Sequence, residues 1–188
     1  MEKVIFYGKR IRLRAIEKED LPRFVLWFND PQVRKHLQMY LPLSMALEER
    51  WFEDTLKRDQ EEHPLVIEVR EGEEWRPVGN LGFINIDKRD RSAEIGIAIG
   101  EKDLWDKGYG REALQLLLTH GFDNLNFNRI FLRVYEVNKR GIRCYEKAGF
   151  KHEGKMRQAR FFEGHYIDVL LMSVLRDEWR QEQSGGEE

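Results

Sequence analysis

The run from Ala93 to Tyr135 constrains the fold more than any other part of the chain. Residues 93–100 read A-E-I-G-I-A-I-G, so Ile95, Ile97 and Ile99 share one face of a strand while only Gly96 and Ala98 follow on the other. A strand this bare on one side lets another group lie close against its backbone. After the charged stretch Glu101 to Lys107, the segment K-G-Y-G-R-E (107–112) opens a helix whose Ala113, Leu114, Leu117, Leu118, Gly121 and Phe122 recur at helical spacing. Arg129 to Tyr135, R-I-F-L-R-V-Y, alternates again as a strand. Strand, helix and strand in that order make a crossover, the connection that parallel neighbours require.

The flanking segments read differently. Ile11 to Ile16 alternates as a strand, and Leu21, Phe24, Val25 and Phe28 then fall at helical spacing until Asn29-Asp30-Pro31 stops the helix. A second helix is expected from Ser44 to Arg58. Leu65 to Arg70 and Pro77 to Ile86 are strands around a turn at Gly72, and a short helix from Asn138 to Lys147 stops at Gly149. Two final strands follow around Glu163-Gly164. These parts form an antiparallel meander with a single crossover, so the fold class is α/β in the α+β sense. Neither a repeat nor a long linker divides the 188 residues, and one domain over residues 1–180 with an unstructured tail at 181–188 is expected.

Gly108, Gly110 and Ala113 fit G-x-G-x-x-[G/A], the dinucleotide fingerprint. The fingerprint's first glycine should leave its strand at once, but seven residues, Glu101 to Lys107, intervene here. A phosphate loop of the Walker type also fails, because no Gly-Lys-Ser/Thr occurs. What survives is physical: two glycines at a helix start expose backbone N–H groups to an anion with no side chain in the way.

Composition narrows the partners. A net charge of −2 with both signs mixed along the chain gives no electrostatic footprint for nucleic acid or an anionic membrane. The N-terminal stretch lacks an uncharged apolar core of the signal-peptide kind, no membrane span is visible, and the lone Cys144 suits a reducing compartment, so a cytoplasmic protein is expected. His36, His63, His120, His152 and His165 lie far apart without ligand spacing, and no metal site is expected.

E94-I-G-I-A-I-G with W105-D-K-G-Y-G-R-E-A, and N138-K-R-G-I-R-C-Y-E-K-A-G-F150 with F-F-E-G-H-Y-I-D-V-L-L-M, occur in one order and spacing. In both the chain resembles the GCN5-related N-acetyltransferases, within them the subgroup of ribosomal-protein N-terminal and spermidine acetyltransferases. The resemblance implies a mixed, mostly antiparallel sheet of six to seven strands flanked by about four helices, with a central parallel pair splayed apart. It implies acetyl-CoA as co-substrate and an amine as acceptor. Lys107, Gly108, Tyr109, Gly110, Arg111 and Glu112 would then hold the pyrophosphate, and Ile97, Ala98 and Ile99 the pantetheine amides. Asn138 would hold the pantetheine arm, Arg143 would meet the coenzyme or water, and Tyr145 would protonate the thiolate. Trp105 departs from the family pattern, which often has Gln or Arg there.

An amine with a pKa near ~10 must lose a proton before it attacks, so a base is needed. Glu94, at the start of the bare strand, is the first candidate, and a solvated carboxylate is the alternative. Backbone N–H groups near Ile97 are natural oxyanion donors. Asn138 could instead be only a helix N-cap, and Tyr145 a core aromatic. Phe162, His165 and Asp168 on the last hairpin are candidates to border the acceptor. The segment Glu48 to Glu62 offers carboxylates to a polyamine, though its alternating signs suggest a solvated helix. A coenzyme-binding regulator without catalysis is the competing class, and the final strands are candidates for a homodimer contact.

Overall fold

The computed structural model describes residues 5–184. Eight strands hydrogen-bond in the order β1-β2-β3-β4-β5-β6-β8-β7. They are β1 (Phe6–Tyr7), β2 (Ile11–Ala15), β3 (Leu65–Glu71), β4 (Glu74–Asp87), β5 (Ser92–Ile99), β6 (Arg129–Tyr135), β7 (Lys151–Phe162) and β8 (His165–Leu175). Six α-helices accompany them: α1 (Leu21–Asn29), α2 (Pro31–Arg34), α3 (Met45–Thr55), α4 (Tyr109–Thr119), α5 (Lys139–Lys147) and α6 (Arg176–Ser184). The contacts group into two compact units, residues 1–83 with 96–116, and residues 84–95 with 117–188.

The first unit is an antiparallel meander. Ile11 opposes Val69 and Leu13 opposes Ile67, and all four side chains are buried. Arg12 and Arg14 alternate to the other face, where both donate to the carboxylate of Glu68, at 2.5 and 2.8 Å. Glu68 is 4% exposed, and these two guanidiniums are what make its burial tolerable. Helix α1 starts behind a capping box formed by Glu17 and Asp20 and buries Leu21, Phe24 and Trp27. It ends at Asn29, and the side chain of Asp30 accepts from Gln32 N to start α2. Ser44 caps α3 by accepting from Leu47 N.

The second unit holds the parallel contact. Ser92, Ala93 and Glu94 pair with Arg129, Ile130 and Phe131, and the parallel register ends there although β6 continues to Tyr135. On its other edge β6 is paired antiparallel with β8 along its whole length, from Arg129↔Leu175 to Tyr135↔Val169. Ile130, Leu132 and Val134 are buried on one face, while Phe131, Arg133 and Tyr135 share the other. Strand β7 pairs with β8 and is exposed along nearly its whole length.

The strand and helix counts exceed the expected six to seven and about four. The extra elements are β1, with two residues, α2, with four, and α6. Helix α6 occupies residues 181–184 of the stretch expected to lack structure, whereas 185–188 lie outside the described residues. Its anchor is Trp179, 4% exposed and 6.1 Å from the ring of Phe122, with Glu178 paired to Lys151 at 2.7 Å. Among the described residues no helix is long and apolar enough to cross a membrane, and no group of His, Cys, Asp or Glu is arranged to hold a metal.

Candidate active site

In the first unit, β5 delivers Ile97, Ala98 and Ile99, all partly exposed. A Cβ added at Gly96 would meet nothing within 4 Å, so the backbone there does face open space. Trp105, the departure noted in the sequence, donates its indole N–H to Ile99 O at 2.8 Å and fastens the end of the strand.

The glycine loop leads directly into α4. Gly108 has φ +85, in the left-handed region that a side chain rarely adopts, which explains glycine at that position. Lys107, Gly108 and Arg111 are exposed, and Tyr109, Gly110 and Glu112 partly so. An exposed loop of this kind at the start of an 11-residue helix is suited to a phosphate group. Its conformation is held by Arg10, which the sequence reading missed. The Arg10 guanidinium donates to Glu112 Oε2 and to Lys107 O, both at 3.0 Å, and lies 4.6 Å over the Tyr109 ring. Arg10 N also donates to Glu112 Oε1 at 2.7 Å. Glu112, expected at the coenzyme, therefore serves as the anchor of this clamp. Arg10 is half exposed, so the ion pair itself adds little stability. Arg10→Ala is expected to change stability by less than about 1 kcal/mol. It should weaken acetyl-CoA binding about tenfold, as read by calorimetry, because the loop loses its fixed shape.

In the second unit, Glu94 is 5% exposed. Arg133 donates to its two oxygens at 2.7 and 2.9 Å, and Asn85 Nδ2 donates to Oε2 at 2.9 Å. Asn85 holds φ +52 while it does so. The pairing raises the Arg133 pKa, chiefly through its hydrogen bond to Glu94. The solvated carboxylate weighed in the sequence is therefore a buried one, and neither oxygen is open to an incoming ammonium.

Asn138 is the N-cap of α5, its Oδ1 accepting from Gly141 N at 3.0 Å. Its amide Nδ2 is close enough that a Cβ at Gly141 would approach within 2.6 Å, so Gly141 is what leaves it room. Tyr145, two turns along α5, packs edge-on against Phe150 at 6.0 Å. Burial raises the Tyr145 pKa, which keeps the phenol protonated across the usable pH range. Arg143 is exposed and Cys144 partly buried.

The last hairpin does not bring its three candidates to one point. Phe162 stacks edge-on with His165 at 6.5 Å and lies 6.5 Å from Tyr135. Asp168 is committed to structure: Oδ1 accepts from Gln158 N at 2.8 Å, and Oδ2 pairs with Lys155 at 2.7 Å. These contacts hold a bulge of β7, where the register shifts between Met156 and Arg160 and Gln158 has φ +49. A cavity of about 510 Å³ at the bulge is lined by Arg157, Gln158 and Asp168.

The family model described as "Acetyltransferase (GNAT) domain" matches residues 10–151. Among curated proteins, the N-acetyltransferase p20 of Bacillus licheniformis is 32% identical over 175 residues, 92% of this chain and 97% of that protein. The spermidine N(1)-acetyltransferase of Escherichia coli K12 is 28% identical over 183 residues, 92% and 89% of the two chains. Among solved structures, the spermidine N-acetyltransferase of Vibrio cholerae in complex with CoA and spermine superposes with a TM-score of 0.83 at 26% identity. That match covers 92% of this chain and 99% of the other.

Proposed function

Because the chain belongs to the GNAT acetyltransferase family and is an N-acetyltransferase that uses acetyl-CoA, we propose that residues 1–180 act as one domain moving the acetyl group to a primary amine by direct attack. The observation that carries this reading is the exposed glycine loop, fixed by Arg10 at the start of α4, inside the matched family region. The residues present fit the coenzyme. Lys107 to Arg111 would hold its pyrophosphate by backbone N–H groups, and Ile97 to Ile99 would meet the pantetheine amides along the strand that is open at Gly96. When bound, acetyl-CoA supplies the activated thioester carbonyl.

The chain's own groups act on protons and charge. Backbone N–H groups near Ile97 stabilise the oxyanion. Tyr145, kept neutral by burial, gives its proton to the leaving sulfur. Asn138 spends its oxygen on the helix cap and retains its amide N–H groups for the pantetheine arm. Glu94 acts as an anchored carboxylate that, with Arg133 and Asn85, orders the start of β5.

A polyamine acceptor is the favoured narrower reading, because relatives spanning nearly the whole chain carry spermidine acetyltransferase names. The test is mass spectrometry of amines incubated with protein and acetyl-CoA. Acetylated spermidine, or another acetylated primary amine, is expected, and a panel left unmodified while the coenzyme binds would favour a regulatory module instead.

A further inference from the structure

Seven residues, Glu101 to Lys107, separate Gly100 at the end of β5 from the glycine loop. A charged segment of this kind is ordinarily solvated, yet its first three side chains are all engaged. Glu101 stands nearest the strand, with its side chain 19% exposed. Its Oε1 accepts from the Trp27 indole at 2.9 Å and, at longer range, from Arg23 at 3.4 Å. Its Oε2 accepts from Arg76. Lys102 pairs with Asp30, and Asp103 with the same Arg76 at 3.5 Å.

The backbone of the segment is fixed as well. Gly100 N and Glu101 N both donate to Val78 O, at 2.8 and 3.3 Å, and Leu104 N and Trp105 N donate to Glu101 O and Lys102 O, each at 3.2 Å. Leu104 is 8% exposed, and the Trp105 indole turns back to Ile99 O. At the far end Arg10 donates to Lys107 O. Every residue in this series of contacts belongs to the first unit. One carboxylate, that of Glu101, thus ties Trp27 and Arg23 of α1 and Arg76 of β4 to the end of β5. The segment it anchors joins the strand that would meet the pantetheine to the loop that would hold the pyrophosphate, so its shape sets their separation.

Resting on that coenzyme reading, we propose that Glu101 is a positioning residue that fixes the spacing between the two halves of the acetyl-CoA site. Its oxygens are spent on Trp27, Arg23 and Arg76, so it acts through the strand and the loop rather than on the coenzyme. A ligand gripped at two points gains fully from the second grip only when both are already held at the ligand's own spacing. Loosening the spacer costs such a ligand an ordering penalty. A ligand gripped at the loop alone escapes it. A residue that merely stabilised the fold would make no such distinction.

The test measures, by calorimetry on the full chain, the binding of acetyl-CoA and of 3′-phospho-ADP, the coenzyme's nucleotide half without its pantetheine. The identity of the amine does not enter it. Glu101→Gln keeps an oxygen for the Trp27 indole but withdraws the charge that faces Arg76. It should weaken acetyl-CoA about tenfold and change 3′-phospho-ADP by less than about twofold. Arg76→Gln removes the partner from the other side and should show the same selectivity. Glu71→Gln is the control: Glu71 pairs with Arg76 at 3.0 Å, is half exposed, and has no contact with β5 in that pairing, so both affinities should stay within about twofold. Parallel weakening of both ligands in Glu101→Gln, with a lower melting temperature, would make Glu101 a stabilising residue alone and overturn the proposal. Unchanged acetyl-CoA binding in Glu101→Gln and Arg76→Gln would overturn it too. A wild type that binds neither ligand would instead overturn the coenzyme reading on which the proposal rests.

Discussion

Gly100→Ala should cost about 3 kcal/mol of stability and lower the melting temperature by roughly 6–12 °C. A Cβ at position 100 would stand 2.7 Å from Trp27 Cδ1 and closer still to Cγ and Cδ2. Trp27 has nowhere to go: it is 4% exposed, stacked on Phe24 at 5.7 Å, and its indole N–H donates to Glu101 Oε1 at 2.9 Å. The strand cannot easily retreat either, because Gly100 N donates to Val78 O at 2.8 Å. Either the ring leaves its hydrogen bond or β5 shifts, and the second response would also move Ile97 to Ile99. Thermal and urea unfolding of the variant measure the cost. A melting point within about 1 °C of the wild type would mean that the indole yields freely and the packing account is wrong.

Tyr145→Phe should lower kcat by about 100-fold or more and leave acetyl-CoA binding nearly unchanged. The substitution removes one oxygen and preserves the edge-on contact with Phe150, so the fold has little reason to respond. A phenol held neutral by burial is a proton donor throughout the working range, and phenylalanine offers no substitute. Steady-state kinetics with calorimetric coenzyme binding separate the two effects. If kcat survives while stability falls, Tyr145 is a core aromatic and the sulfur takes its proton from water.

Legibility from sequence followed the range of the interaction. Strand β6 was expected at Arg129 to Tyr135 and occurs there, because its alternation is local and both faces are distinct. The α5 stop at Gly149 was equally plain, and that glycine has φ +96. Two-residue β1 and four-residue α2 carry too little pattern to find, and α6 has Trp179 as its only large apolar anchor. Arg10 gave no signal, since a single arginine has no period and its partner Glu112 is 102 positions away. Glu94 stands in the sequence as a base or a solvated carboxylate, and its burial has no local signal because its partner Arg133 lies 39 positions on. Glu48 shows the sharpest failure. A charge-rich helix hides its buried face, and only packing reveals that one of many glutamates stands between Met45 and Phe52.

The most direct measurement of the central claim is free-thiol release from acetyl-CoA across spermidine, peptides with Ser or Ala N-termini, amino sugars and free amino acids. Thiol release that depends on a primary amine, matched one for one by acetylated product, is the predicted result. Thermal stabilisation by acetyl-CoA with no thiol released beyond the amine-free rate, for any acceptor, would contradict it and leave a coenzyme-binding module.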